Sequence, residues 1–331
     1  MNSLQQLHQL GESIWLDYIR RDLITSGELE RLIKEDGVTG ITSNPTIFAK
    51  AIAAGNFYDE TIRAAIAEDP NADLKTIFER IEIEDLRMAA DLLRPIYEST
   101  GGADGFVSIE VSPRLAYETE ATMEEARRLW RSVNRPNLMV KVPATAEGLP
   151  AIENLTAESL NINITLIFSV SQYARVAQAY ERGVSRNTKP QKVTSVASFF
   201  VSRVDTAVDR ALEEVGTEEA LALRGKAAIA NADLAYRRFR LMFSGRDFDL
   251  LRARGVRLQK PLWASTSTKN KAYSDVLYVE DLIGPDTINS MPPQTLEAFR
   301  DHGKAKVTLG QQDNKAEAVQ GRLLALGINL Q

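Results

Sequence analysis

The chain has 331 residues, a net charge of −5, 44% hydrophobic residues and 26% charged ones. These proportions suit a globular protein, and the negative balance argues against a broadly basic nucleic-acid surface while leaving room for a local basic pocket. No apolar run approaches the roughly 18 residues of a bilayer-spanning helix.

From the N-terminus, Met1 to Arg21 lacks a basic lead and is interrupted by Glu12 and Asp17. No secretory signal is expected, and the expected compartment is the cytoplasm. Short strand-like runs then alternate with helix-like ones. Strands are expected at Ile14–Tyr18, Gly40–Asn44, Gly105–Val111, Leu138–Val142, Asn161–Phe168, Thr194–Ser198, Pro261–Ser265 and Asp286–Ser290. The segments between them carry Ala, Leu, Glu and Arg at helical spacing, as in Ser171–Arg182 and Ala220–Met242. Asn44-Pro45 offers an N-cap followed by proline at the first helical position, and Gly55 lies near that helix's end. Asp73–Tyr97 reads as a long helix that Pro95 kinks or stops, and Pro292-Pro293 with Gly303 brackets a late one.

Eight strands alternating with helices predict a parallel α/β fold, a single (β/α)8 TIM barrel occupying 1–331 as one domain. Residues 45–104 and 203–260 are long enough for several helices each. They read as additional helices in the connections between strands two and three and between strands six and seven.

One lysine stands out, in the apolar run Leu138-Met139-Val140-Lys141-Val142-Pro143. Burial disfavours the charged form of an amine, and a neutral amine can attack a carbonyl and form a Schiff base. A partnered core lysine would fit the same run. The neighbouring strands, taken with a period of two, favour the chemical reading. Ser108 and Glu110 share a parity class against Val107, Ile109 and Val111, and Asn161, Asn163 and Thr165 share one against Ile162, Ile164 and Leu166. Trp15 and Asp17 alternate with Ile14 and Leu16, and Thr42 and Asn44 with Ile41 and Ser43. The apolar class belongs under the helices, so the polar class is expected inside the barrel, with its chemistry at the carboxyl ends of the strands. Taken singly, Asp17 fits a turn, Asn44 an N-cap and Glu110 the end of a solvated strand. Repeated together inside a barrel they imply a hydrogen-bonded site.

The chain has no cysteine, and its two histidines are His8 and His302. Disulfides and thiolate chemistry are excluded, and a Ser-His-Asp triad or a multi-histidine zinc site is hard to assemble, so no metal is expected. Acid–base work falls to carboxylates, lysine, hydroxyls or water. Arg203, after Ser198-Phe199-Phe200-Val201-Ser202, and Lys269, after Ser265-Thr266-Ser267-Thr268, place cations beside hydroxyls near strand ends. That suits a phosphate, although each cation also fits a surface ion pair. Neither a GxGxxG nor a GxxxxGK[ST] motif is present, so no nucleotide cofactor is expected.

At these motifs the chain resembles the transaldolases of the longer bacterial type. Gly40-Ile41-Thr42-Ser43-Asn44-Pro45-Thr46 is similar to one signature of that family. Met139-Val140-Lys141-Val142-Pro143-Ala144-Thr145 with Glu147-Gly148-Leu149 is similar to the second. The resemblance implies a cofactor-free class I aldolase barrel that moves a dihydroxyacetone unit between phosphorylated ketose and aldose substrates. It implies Lys141 as the Schiff-base lysine, Asp17 as the acid–base carboxylate, and Glu110 with Thr165 as holders of the catalytic water. Asn44 and Asn163, with Thr42 and Ser198 nearby, would hold the dihydroxyacetone hydroxyls, and Arg203 and Ser265 the phosphate. Shorter relatives show arginine where this chain has Lys269, in a longer Ser265–Asn270 loop. Phe200 stands where the similar fructose 6-phosphate aldolases present tyrosine. A simple aldolase and a non-catalytic phosphosugar-binding barrel remain as alternatives, as do a monomer and a homodimer.

Overall fold

A computed structural model describes residues 2–311 and 314–331, so Met1, Gln312 and Asp313 of the expected domain lie outside it. Eight strands close on themselves in sequence order, each parallel to the next. They are β1 (Glu12–Leu16), β2 (Val38–Ile41), β3 (Phe106–Glu110), β4 (Leu138–Pro143), β5 (Ile162–Ile167), β6 (Ser195–Phe200), β7 (Lys260–Ala264) and β8 (Thr287–Met291). Helices cover the outside. Val170–Arg186 is representative: Ser169 caps it by accepting the Gln172 N–H, and Tyr173, Val176, Ala177, Tyr180 and Val184 form the buried stripe.

The expected alternation holds except at Leu166, which lines the cavity instead of packing under the helices because its backbone turns left-handed (φ +63°). Val107, Ile109, Val140, Val142, Ile162 and Ile164 join the apolar layer shared with the helices. Trp15, Phe106, Met139, Val196, Leu262 and Ile288 form a separate cluster inside the barrel, below the polar set. Gly40 makes this plug possible, because a Cβ there would stand 2.5 Å from the Trp15 indole. The Trp15 indole N–H donates to Asp104 (2.9 Å), so the ring is buried without an orphaned donor.

The connection after β2 carries the helices Pro45–Ala53, Asp59–Glu68 and Leu74–Ser99. The connection after β6 carries Ser202–Val215, Glu218–Leu221, Ala227–Met242 and Arg246–Ala253. Several boundaries differ from expectation. The first two strands end at Leu16 and Ile41, so Asp17 and Thr42 stand just beyond them, their N–H groups still donating to Met291 and Leu16. The stretch Ala220–Met242 is two helices: Gly225 between them adopts φ +69° and gives its N–H to the Asp209 carboxylate. Pro95 lies inside the long helix rather than ending it; Leu93 before it is fully buried and Ile96 after it packs on the core. Asp73 starts that helix by accepting the Thr76 N–H.

Candidate active site

The carboxyl ends of the strands surround a cavity of about 790 Å³. Of the residues singled out in the sequence, Asp17, Thr42, Asn44, Glu110, Lys141, Thr165, Ser198, Phe200, Arg203, Ser265 and Lys269 line it. Asn163 does not. It is fully buried one layer deeper, where its amide donates to Ser108 Oγ (3.1 Å) and accepts from Ser198 Oγ (2.7 Å). It ties β3, β5 and β6 together beneath the cavity floor.

Strand register determines the centre of the site. Lys141 on β4 is paired with Glu110 on β3 and with Asn163 on β5. Lys141 is 7% exposed, and its ammonium donates to the Ser43 carbonyl (3.1 Å) and stands 3.6 Å from Glu110 Oε2. That spacing is an ion pair loose enough to admit a small reactant beside the amine. Ser43 is itself pinned, its hydroxyl donating to the Ser108 carbonyl (2.8 Å). Asp17 sits on the β1 side, in a chain of hydroxyls: Ser290 Oγ is 2.6 Å from Thr42 Oγ1, which donates to Asp17 Oδ1 (2.7 Å). Because Thr42 spends its proton on Asp17, it accepts from Ser290. Asn44 caps the helix Pro45–Ala53 with its side-chain oxygen, accepting the Ile47 N–H (3.0 Å), which leaves its NH2 group for a ligand oxygen.

The mouth is cationic. Arg203 lies in the first turn of Ser202–Val215, its guanidinium 4.8 Å from the centre of the Phe200 ring, and Phe200 in turn meets Phe168 at 5.2 Å. Ser265 adopts φ +60°, and the Ser202 and Ser265 hydroxyls are 2.9 Å apart. Lys269 is exposed, with its ammonium on Ser267 Oγ (2.5 Å). Among the described residues, neither Arg203 nor Lys269 is held in an ion pair, in contrast to the surface-pair reading of these cations. Leu166, also on the wall, is held at φ +63° where the β5–β6 ladder breaks register. A left-handed leucine is a costly backbone state that only a rigid surround maintains.

A family model described as transaldolase/fructose-6-phosphate aldolase matches residues 14–331. The chain belongs to this family. Curated transaldolases align with it nearly end to end. That of Thiobacillus denitrificans is 48% identical across 100% of this chain and 92% of its own. Those of Mycobacterium ulcerans and Mycobacterium tuberculosis are 47% and 46% identical, each across 99% of this chain and 89% of theirs. Within this transaldolase-type cavity the structure adds wall residues that sequence reading passed over, among them Tyr18, Lys50, Ser290 and Gln294. Ser290 shares its parity with Ile288 and was legible in principle. Lys50 is near the end of a helix and carries no sequence signal. Among the described residues no group of three histidine, cysteine or carboxylate side chains is placed to hold a metal, and no helix is long and apolar enough to cross a membrane.

Proposed function

We propose that this chain is a transaldolase that moves a dihydroxyacetone unit from sedoheptulose 7-phosphate to glyceraldehyde 3-phosphate, giving erythrose 4-phosphate and fructose 6-phosphate in the pentose phosphate pathway. The observation that carries the reading is the amine of Lys141 at the bottom of a polar cavity, facing a carboxylate at 3.6 Å.

Lys141 passes its ammonium proton to Glu110 and adds as the free amine to the donor's ketone carbon, and the carbinolamine loses water with proton transfer through Glu110 and a water held by Glu110 and Thr165. The resulting iminium is the electron sink. Asp17 takes the proton of the hydroxyl beyond the scissile carbon–carbon bond, that bond breaks, and the aldose leaves. The three-carbon enamine left on Lys141 then adds to the acceptor's aldehyde carbon, Asp17 returns its proton to the new hydroxyl, and hydrolysis frees the amine. Asn44 offers N–H donors to the dihydroxyacetone hydroxyls while Asn163 supports from below through Ser108 and Ser198. Arg203, Ser265 and Lys269 hold the phosphate, Arg203 as a fork and Lys269 as a point charge.

Borohydride reduction in the presence of fructose 6-phosphate tests this. Mass spectrometry should find a reduced dihydroxyacetone adduct on Lys141, and an adduct elsewhere or none would overturn the assignment. A simple aldolase would cleave fructose 6-phosphate without an acceptor. Phe200 favours the transferase, because phenylalanine has no hydroxyl with which to order a hydrolytic water. We read the chain as one catalytic domain. We place it in the cytoplasm, because charged sugar phosphates do not cross membranes unaided and their enzymes must share their compartment.

A further inference from the structure

The polar groups at the cavity mouth come from two elements. Arg203 is in the first turn of the helix Ser202–Val215, whereas Ser265 and Lys269 belong to the loop between β7 and the short helix Leu277–Glu280. The near end of that loop is fixed: the Ser265 carbonyl accepts the Ser202 N–H (3.1 Å), and Thr266 Oγ1 donates to the Ser290 carbonyl (3.1 Å). From Ser267 to Ala272, among the described residues, the hydrogen bonds stay within the loop, with Lys269 on Ser267 and the Ala272 N–H on Asn270. The far end returns to the helix that carries Arg203. Tyr273 Oη donates to Asp209 Oδ2 (2.6 Å), and Asp209 Oδ1 accepts the Gly225 N–H (2.9 Å). One turn earlier on that helix, Tyr278 Oη donates to Asp205 Oδ2 (2.7 Å), and Asp205 Oδ1 accepts the Ala228 N–H (2.7 Å). Both carboxylates are buried, and among the described residues neither is in an ion pair. A buried carboxylate without a cation is costly and depends on such bonds to stay charged. Gly225 fits the tether in a second way, because a Cβ there would stand 2.9 Å from the Tyr273 ring.

We propose that Tyr273 is a positioning residue for phosphate binding, holding the far end of this loop through Asp209 so that Lys269 and Arg203 reach the same phosphate. This rests on the reading of Arg203, Ser265 and Lys269 as the phosphate ligands. The two cations differ in what they need. Arg203 is oriented by a helix turn and by its stack on Phe200. Lys269 is exposed and is a point charge on a flexible stem, so its aim depends on where its backbone is held. Tyr273 stands four positions further on and donates outside the loop. Without it, the first tie beyond Thr266 would be the exposed contact of Asp275 with His302 (2.9 Å). Neither Tyr273 nor Asp209 lines the active-site cavity, so the pair acts through Lys269 and touches no substrate.

The test is KM for glyceraldehyde 3-phosphate and for unphosphorylated glyceraldehyde, at saturating fructose 6-phosphate, in the native protein, Tyr273→Phe, Lys269→Ala and the double variant. Tyr273→Phe keeps the ring and removes the donor. It should raise KM for glyceraldehyde 3-phosphate about three- to tenfold, the range that one lost hydrogen bond allows. The effect should fall on KM rather than kcat, and KM for glyceraldehyde should barely move. In the Lys269→Ala background the same substitution should add little, because it acts through that lysine. Equal rises for the two aldehydes, no rise for either, or a full further rise without Lys269 would each overturn the proposal and leave a tyrosine that only supports packing. Should Tyr273→Phe not fold, Asp209→Asn weakens the same bond while keeping an acceptor for the Gly225 N–H, and its KM values decide in the same way. The native protein separates the two readings. If its KM for glyceraldehyde 3-phosphate is no lower than for glyceraldehyde, the phosphate-site reading falls and this proposal with it. A native preference for the phosphate that Tyr273→Phe retains in full overturns only the role of Tyr273.

Discussion

Glu110 and Lys141 are direct partners in the β3–β4 ladder, and their side chains meet 3.6 Å apart at the cavity floor. Backbone register, rather than a flexible loop, sets the distance between the carboxylate and the amine. Glu110→Gln keeps the shape and removes the proton acceptor. Its kcat should fall by about 10²–10⁴-fold, the usual weight of a general acid–base. Lys141 keeps its Ser43 contact, so borohydride should still label it, only more slowly. A loss below tenfold in steady-state assays would remove Glu110 from the mechanism.

Thr42 orients Asp17 and is in turn held by Ser290. Thr42→Val should leave Asp17 without that donor and lower kcat by roughly 10²-fold, as a small misplacement of a catalytic group does, with KM little changed. Thr42→Ser restores the hydroxyl and should recover most of the rate. Steady-state kinetics on both variants check this, and equal defects in the two would mean that the methyl group matters instead.

Arg203 stacks on Phe200 at the mouth, with its donors available to an anion. A charge-assisted hydrogen bond contributes about 1.5–3 kcal/mol, so Arg203→Ala should raise KM for phosphorylated donors by one to two orders of magnitude. Unphosphorylated acceptor aldehydes should be affected far less. Comparable losses on both substrate types would show a defect of packing rather than of phosphate binding.

At the opposite end of the barrel Glu12 is enclosed, with Oε1 unpartnered and Oε2 accepting weakly from the Gly284 N–H (3.3 Å) and Thr287 Oγ1 (3.4 Å). Burial pushes it from 4.5 up to about 8. The folded protein therefore holds a proton that the unfolded chain releases. This contribution to stability is complete below about pH 4.5 and is lost as pH rises through 8, a change on the order of a few kcal/mol. Glu12→Gln should shrink the drop in Tm between pH 6 and pH 9. Calorimetry that finds the same drop in both proteins would show that Glu12 is not protonated in the native state.

The barrel and most of its floor were legible because a strand's two faces differ in sequence. Phe106-Val107-Ser108-Ile109-Glu110 reveals its parity at sight, and the same rule places Lys141, Thr165 and Ser198 inward. Parity does not give depth, so Asn163 read as a ligand contact although it lies under the floor. The break at Gly225 was hidden because the carboxylate that accepts its N–H belongs to Asp209, 16 positions earlier.

The apolar plug of Trp15, Phe106, Met139, Val196, Leu262 and Ile288 makes the barrel a vessel filled from below. Among the described residues, the cavity that holds Lys141 lies at the carboxyl ends of the strands, where Arg203 and Lys269 stand. The first aldose has to vacate that cavity before the second can descend to the bound three-carbon fragment. Taking turns is thus imposed by plumbing, and double-displacement kinetics follow from where a tryptophan was placed.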